Sequence, residues 1–214
     1  MPTVVLKIGG SLFDLPDLGA RLGTLVNQHR QHRFLLFPGG GAAADLVREW
    51  QPRFGWTDAE AHDLAIAALD FNAALLAKVL PTGCVVYDHL DAEAAWQRGD
   101  QPILAPSRFL GNEERCAPPA ALPHTWEVTS DSLAAWTAWR WPADEVWLGK
   151  SVPCPHEDAV NAAVGGDIDP YFARLGERRP PVRWCSLRNE HPQVEAWQAF
   201  NPRLSHSPVA SERL

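Results

Sequence analysis

The chain has 214 residues, 46% of them hydrophobic and 21% charged, an ordinary globular composition that excludes collagen-like, disordered and coiled-coil chains. At roughly 150 residues per domain this length favours a single α/β domain. Lys+Arg 19 against Asp+Glu 26 leaves a formal net charge of −7 with no basic run, so neither nucleic acid nor an anionic membrane is an expected partner.

Val4-Val5-Leu6-Lys7-Ile8 reads as a buried parallel strand broken by Gly9-Gly10. From Asp14, a candidate N-cap, Leu15, Leu18, Leu22, Leu25 and Val26 recur at spacings of three and four and predict an amphipathic helix towards His29. Phe34 to Phe37 is a second buried strand, stopped by Pro38-Gly39-Gly40-Gly41, and Ala42 to Trp50 reads as helix. Thr57-Asp58-Ala59-Glu60 is a capping box. Behind it, Ala61 to Leu80 is apolar around most of its circumference, as a long helix packed on a sheet requires. Strands at Cys84–Tyr87 and Pro102–Ala105 flank a short helix at Ala92–Trp96, and 106–124, with four prolines, reads as loop.

Thr129 or Ser130 is expected to cap a helix through Trp139, followed by a strand at Glu145–Leu148 that ends in Gly149-Lys150. Beyond Lys150 the pattern is irregular up to a segment at Asp169–Arg174, a strand at Val182–Cys185, a last helix at Gln193–Phe200 and a tail over the final dozen residues. Strands alternating with helices predict a three-layer αβα sandwich with a mostly parallel central sheet. The N-terminus starts on a strand pattern without a basic leader or a long apolar span, so a cytoplasmic location is expected. Cys84, Cys116, Cys154 and Cys185 form no CxxC pair and read as buried thiols, with Cys154 and His156 too isolated to make a metal site. Trp136 and Trp139, three apart on one helix, read as core or subunit-interface packing.

Ligands of parallel sheets bind beyond the carboxyl ends of the strands. That rule selects Lys7-Ile8-Gly9-Gly10-Ser11, Gly39-Gly40-Gly41 and Gly149-Lys150-Ser151, all glycine-rich and two with a lysine. Glycine there lets N–H groups face an anion unobstructed, and a helix starting near Gly41 adds its positive end, so the pattern points to phosphate. The site is no P-loop, since Asp144 stands where the first glycine of that motif belongs, and GxGxxG is unmet after either early strand.

These pieces, in this order, resemble the amino acid kinase family: Lys7-Ile8-Gly9-Gly10-Ser11 its opening motif, Pro38-Gly39-Gly40-Gly41 its second glycine-rich turn, and Thr129-Ser130-Asp131-Ser132-Leu133-Ala134-Ala135 its aspartate before a small-residue helix. His62-Asp63-Leu64-Ala65 and Trp126-Glu127-Val128-Thr129-Ser130-Asp131-Ser132 are most similar to the small kinases of methanofuran biosynthesis, which phosphorylate [5-(aminomethyl)furan-3-yl]methyl phosphate. The resemblance implies a single amino acid kinase-like domain over 1–214, with the acceptor side and phosphate loops in 1–128, the nucleotide side in 129–204 and a tail at 205–214. It weakens after Lys150, where Lys150-Ser151-Val152-Pro153-Cys154-Pro155 replaces the family's D-x-x-G segment, although Gly166 to Phe172 looks like the segment that follows the nucleotide loop. Contacts to adenine and ribose are therefore not assigned.

The resemblance further implies ATP and Mg²⁺ as cofactors, a small phosphate monoester as the other substrate, and a homo-oligomer joined through helix faces, with the helix around Trp136 the candidate surface. Lys7 is expected to stabilise the transferring phosphoryl group and Lys150 to neutralise the leaving phosphates, with Asp131 orienting both by charge pairing. Gly9, Gly10 and Gly40 are expected to supply N–H donors, with Ser11, Gly39 and Gly41 completing the phosphate loops. Asp63 and Ser130 are expected at the acceptor, Asp63 meeting its amine. Mg²⁺ is expected to sit on nucleotide oxygens rather than on protein ligands. The same motifs also suit kinases of this fold with another acceptor, such as a nucleoside monophosphate or an isopentenyl phosphate-like ester, or a noncatalytic protein that holds a nucleotide or oxyanion.

Overall fold

Strand β1 (Thr3–Ile8) is buried along its whole length, as its nearly continuous apolar run requires of a strand covered on both faces. The computed structural model describes residues 1–155, 158–176, 178–189 and 192–197. After β1 come α1 (Leu18–Gln28), β2 (Arg33–Pro38), α2 (Gly41–Phe54), α3 (Asp58–Val79), β3 (Gly83–Val86), α4 (His89–Arg98), β4 (Gln101–Leu104) and α5 (Pro106–Cys116). The remainder is α6 (Ser130–Arg140), β5 (Glu145–Lys150), α7 (Ala159–Val164), β6 (Val182–Ser186) and β7 (Gln193–Ala196). They build one seven-stranded sheet of order β3-β4-β2-β1-β5-β6-β7, parallel throughout except for the antiparallel β6–β7 pair.

Two apolar clusters lie on the two faces of this sheet, because successive strand residues point to opposite sides. Val4, Leu6 and Ile8 of β1 pack with Leu18, Leu22 and Leu25 of α1 and with Trp147 of β5. Val5 joins Val146 and Leu148 of β5 under the α6 residues Leu133 to Ala138 on the other side. By the same alternation Lys7 and Lys150 fall on the face that α6 covers. Helix α3 is held at its start by the expected capping box of Thr57 and Glu60 and contributes to both clusters.

Several expectations need correction. Residues Gly10–Asp14 form a 3-10 turn, and α1 begins at Leu18 with Asp17 at its N-cap, while Asp14 pairs with Arg188. The stretch 106–124 is not all loop: Pro106 stands in the first turn of α5, where a missing N–H costs nothing, and Phe109 and Leu110 are buried. A helix over Gln193–Phe200 is contradicted by β7, whose residues pair with β6, and 198–200 and the tail lie outside the described residues. The irregular segment after Lys150 contains α7, capped by Asp158. Of the four thiols Cys185 is buried, Cys84 and Cys154 are half-buried and Cys116 is exposed.

The Trp136 helix is not a surface. Residues Asp131 to Ala138 are all buried within the chain's own core, and half-buried Trp139 lies under the Arg140 guanidinium. Large apolar side chains stand exposed elsewhere, among them Trp50 and Phe54 on α2 and Leu64 and Phe71 on α3. No described helix is long and apolar enough to cross a membrane.

Candidate active site

The strand order reverses beside β1: the chain leaves it for β2 on one side and returns to it with β5 on the other. Such a switch point opens a crevice at the carboxyl ends of the strands. In register, Ile8 stands beside Pro38 of β2 and Gly149 of β5, so all three glycine-rich stretches meet there.

Lys7 on β1 and Lys150 on β5 converge on one carboxylate. Asp131, in the first turn of α6, places Oδ1 2.8 Å from Lys7 Nζ and Oδ2 2.7 Å from Lys150 Nζ. Lys7 and Asp131 are each only 4% exposed. Burial opposes ionisation of Asp131, but the two ammonium groups prevail, Lys150 first and Lys7 next, and hold its pKa at about 2. Burial lowers the Lys150 pKa to about 8, with the Lys7 charge adding to the shift and Asp131 resisting it. Lys150 also donates to the Asp167 carbonyl at 2.6 Å. Two cations on one anion leave a net positive charge in the crevice, an arrangement that attracts polyanions.

The helix carrying Asp131 is anchored by a residue distant in sequence. Thr129 occupies the N-cap of α6, but its hydroxyl makes no local cap. Asp169 supplies the oxygens instead, accepting from Thr129 N at 3.0 Å, Ser132 N at 2.9 Å, Phe172 N at 3.0 Å and the hydroxyls of both Thr129 and Ser132. Burial and then the Asp131 charge push the Asp169 pKa up to about 6 against these donors. Asp169 lies in the Gly166–Phe172 stretch noted in the sequence, yet its partner at residue 132 is visible only in three dimensions.

The glycine loops pack backbone on backbone. Gly9 N donates to Gly149 O at 2.8 Å, so this N–H is engaged within the chain and is not a free phosphate donor. The N–H groups of Gly10 and Gly41 are the first of the 3-10 turn and of α2, which leaves them without a partner inside their own helices. Gly40 precedes Gly41 at the N-cap, and Asn72 of α3, buried, donates to both Gly39 O and Gly40 O at 2.7 Å. These bonds hold the carbonyl side of the Gly39–Gly40 turn against α3. Ser11 is at the rim, its hydroxyl 2.9 Å from that of Ser151.

A Cβ on Gly10 would stand 2.2 Å from Gly41 N, and Gly41 itself has φ +50. The missing side chain thus admits the neighbouring loop rather than the ligand. Gly10→Val is expected to force the two loops apart at a cost of about 1–3 kcal/mol and to weaken binding of a nonhydrolysable ATP analogue in calorimetry. Binding at wild-type strength would contradict the phosphate-loop assignment.

Beside these loops lies a cavity of about 170 Å³, walled by Gly10, Gly40, Gly41, Arg48, His62 and Trp126 and floored by Ala65, Ile66, Leu69, Val128 and Leu133. Ser130 lines it as expected. Asp63 does not: it is exposed and binds His124 Nδ1 at 3.0 Å, because a neighbour of His62 on a helix is turned about 100° from it. Arg48 stacks 4.3 Å above Trp126 and pairs with Asp45 at 3.0 Å. Arg48, His62 and Trp126 are not among the expected site residues, because none of them belongs to a glycine motif or a strand end, and they line one cavity only once α2, α3 and the segment before α6 pack together. Burial pushes the Cys154 thiol to about 11 and His156 lies outside the described residues, while no three His, Cys, Asp or Glu side chains group as metal ligands among the described residues.

A family model described as the amino acid kinase family matches residues 2–153. A [5-(aminomethyl)furan-3-yl]methyl phosphate kinase of Methanocaldococcus jannaschii is 29% identical over 133 residues, which is 61% of this chain and 57% of that protein. A uridylate kinase of Methanospirillum hungatei is 30% identical over 111 residues, 49% of this chain and 47% of that protein. The matched stretch thus spans about half the length of these curated relatives. Among solved structures, the uridylate kinase of Archaeoglobus fulgidus superposes with a TM-score of 0.58 at 20% identity over 86% of this chain and 90% of that one, a likeness of fold.

Proposed function

The chain belongs to the amino acid kinase family, and from that premise we propose that it transfers the γ-phosphoryl group of ATP to a small phosphate monoester, [5-(aminomethyl)furan-3-yl]methyl phosphate in the first instance. The observation that carries this reading is the convergence of Lys7 and Lys150 on Asp131 at the switch point, where the three glycine-rich stretches meet. Phosphoryl transfer asks for positioned positive charge more than for covalent chemistry. Lys7 faces the phosphoryl group in flight and Lys150 the phosphates left behind. The acceptor, a monoester with a second pKa of about 6, is ionised near neutral pH and needs no general base.

The crevice fits a triphosphate by its charge and its N–H groups, and Mg²⁺ fits it through the nucleotide. Both oxygens of Asp131 are engaged by lysines and Asp169 is saturated with donors, so a cation is left to phosphate oxygens and water. The cavity beside the loops is the acceptor side of this proposal. At about 170 Å³ it is smaller than the ~300–1,000 Å³ pockets that enclose drug-sized ligands, which favours a single-ring ester over a nucleoside monophosphate. Arg48 on its wall meets the acceptor phosphate, and Ile66, Leu69 and Leu133 meet the ring.

The test is a coupled ADP-release assay with a panel that includes the aminomethylfuran ester, UMP and isopentenyl phosphate, beside Lys7→Ala. Lys7-dependent turnover of the furan ester supports the reading. ADP release at background with every acceptor would remove the kinase assignment and favour a noncatalytic nucleotide-binding protein.

Self-association belongs to the same proposal, on the α2–α3 face in place of the α6 face. Phe71 on α3 is 63% exposed and Phe54 on α2 64%, and large apolar side chains left in solvent are what a protein contact covers. Phe71→Glu is expected to lower the mass seen by light scattering by at least half, whereas Trp139→Glu is expected to disturb folding instead. A wild-type chain that scatters as a monomer rejects this face.

A further inference from the structure

His62 is one of the most enclosed polar residues in the molecule, at 3% exposed, and the phosphate-transfer machinery makes no use of it. It projects from α3 into the wall of the acceptor cavity. Its Nδ1 is 3.1 Å from the carbonyl oxygen of Thr125. A carbonyl only accepts, so Nδ1 carries the proton, and in a neutral ring Nε2 is then a lone-pair acceptor. Burial, and after it the neighbouring His124, lower the His62 pKa, which favours that neutral ring.

The ring is also held by packing: His124 lies tilted against His62 at 33°, with ring centroids 5.0 Å apart. Its own nitrogens are both occupied, Nδ1 by Asp63 at 3.0 Å and Nε2 by Glu114 at 3.3 Å. His62 Nε2 has no hydrogen bond among the described residues. An acceptor nitrogen without a partner on the wall of a cavity is costly unless a ligand completes it. The Gly40–Gly41 turn borders the cavity at Leu69, about two helical turns along α3 from His62, so an acceptor whose phosphate lies on that turn meets His62 with its far end.

We propose that His62 is a specificity-determining residue that accepts a hydrogen through Nε2 from an ammonium or N–H group on the acceptor, at the end remote from its phosphate. The class of substrate selected is a small apolar ring with a phosphate monoester on one side and an amine on the other. This inference rests on the kinase reading and deepens it.

The measurement compares the aminomethylfuran ester with its analogue lacking the amine, furan-3-ylmethyl phosphate, in the ADP-release assay. The wild-type enzyme is expected to prefer the amine-bearing ester by about tenfold or more, the scale of a hydrogen bond involving a charged group. His62→Leu is expected to erase this preference through a raised KM for the amine-bearing ester, with kcat/KM for the analogue held within about threefold. His62→Gln, whose amide oxygen reaches the Nε2 position, is expected to restore part of it. If His62→Leu does not fold, His62→Asn keeps an N–H for Thr125 while deleting Nε2, and is expected to behave as Leu. Equal losses on both esters, or an unchanged preference, overturn the role of His62. Wild-type turnover of the analogue as fast as of the amine, or turnover confined to acceptors without a donor at that end, overturns the inference and leaves the kinase reading standing. Absence of turnover with any monoester overturns both.

Discussion

Lys7→Ala is expected to lower kcat by about 10²-fold or more, and Lys150→Ala by a similar factor, the scale on which loss of one preorganised electrostatic group acts. The two should differ in their pH profiles. Lys150 titrates at about 8 in the free protein because burial penalises its charge. The value is lowered, so the cation is present below pH 8 and is lost as the pH rises through it. In the wild-type enzyme kcat/KM, which reports the free protein, should therefore fall above pH 8. Phosphates bound in the crevice favour the cation, so kcat should stay flat to higher pH. A profile for kcat/KM that is level to pH 10 would contradict the role given to Lys150, and unchanged rates in either alanine variant would reject that lysine's assignment.

Asp131→Ala should be the most damaging change for the fold itself. Removing the one anion leaves two ammonium groups packed against each other, and losing one partner of a buried ionic cluster costs about 3–5 kcal/mol. A large drop in Tm is expected. The same variant should be rescued more by ATP or ADP than the wild type is, because the nucleotide replaces the missing negative charge and any ligand of the folded state stabilises it by mass action. Acid should mimic the mutation in the wild type. The Asp131 pKa is held near 2 against an ordinary value of 3.8, so its contribution is present above 3.8 and is lost as pH falls from there towards 2. A variant as stable as the wild type in thermal unfolding would show that the lysines do not depend on Asp131.

The alternation of apolar runs with amphipathic helices made the parallel sheet legible before any coordinates. It also placed the three glycine turns at one end of the sheet, since every parallel strand presents its carboxyl end to the same side. What failed locally failed for local reasons. Four prolines hid α5, although only Pro106 stands in its first turn. The short alternating run of β7 has too few residues for its period of two to outweigh a helical reading. Spacing alone leaves Trp136 and Trp139 between core and subunit-interface packing, whereas the sheet and neighbouring loops enclose most of α6 and decide for the core.

The site divides in the same way. Lys7, Lys150 and the phosphate loops are readable because their chemistry rests on backbone turns and strand ends, which residues adjacent in sequence specify. His62, Arg48 and Trp126, the Asn72 clamp on the Gly39–Gly40 carbonyls and the Asp169 cap on α6 are not, because each depends on partners 32 to 78 residues away brought together by packing. The exchange of Asp63 for His62 turns on about 100° of helix rotation that periodicity alone leaves unassigned. By itself, then, the sequence determined the layered fold and the meeting of Lys7, Lys150 and three glycine-rich turns at one end of the sheet, since these follow from local patterning and strand direction. The tertiary structure alone decided which side chains wall the cavity beside those turns and which groups hold the helix of Asp131 in place, since those contacts exist only after distant segments close on one another.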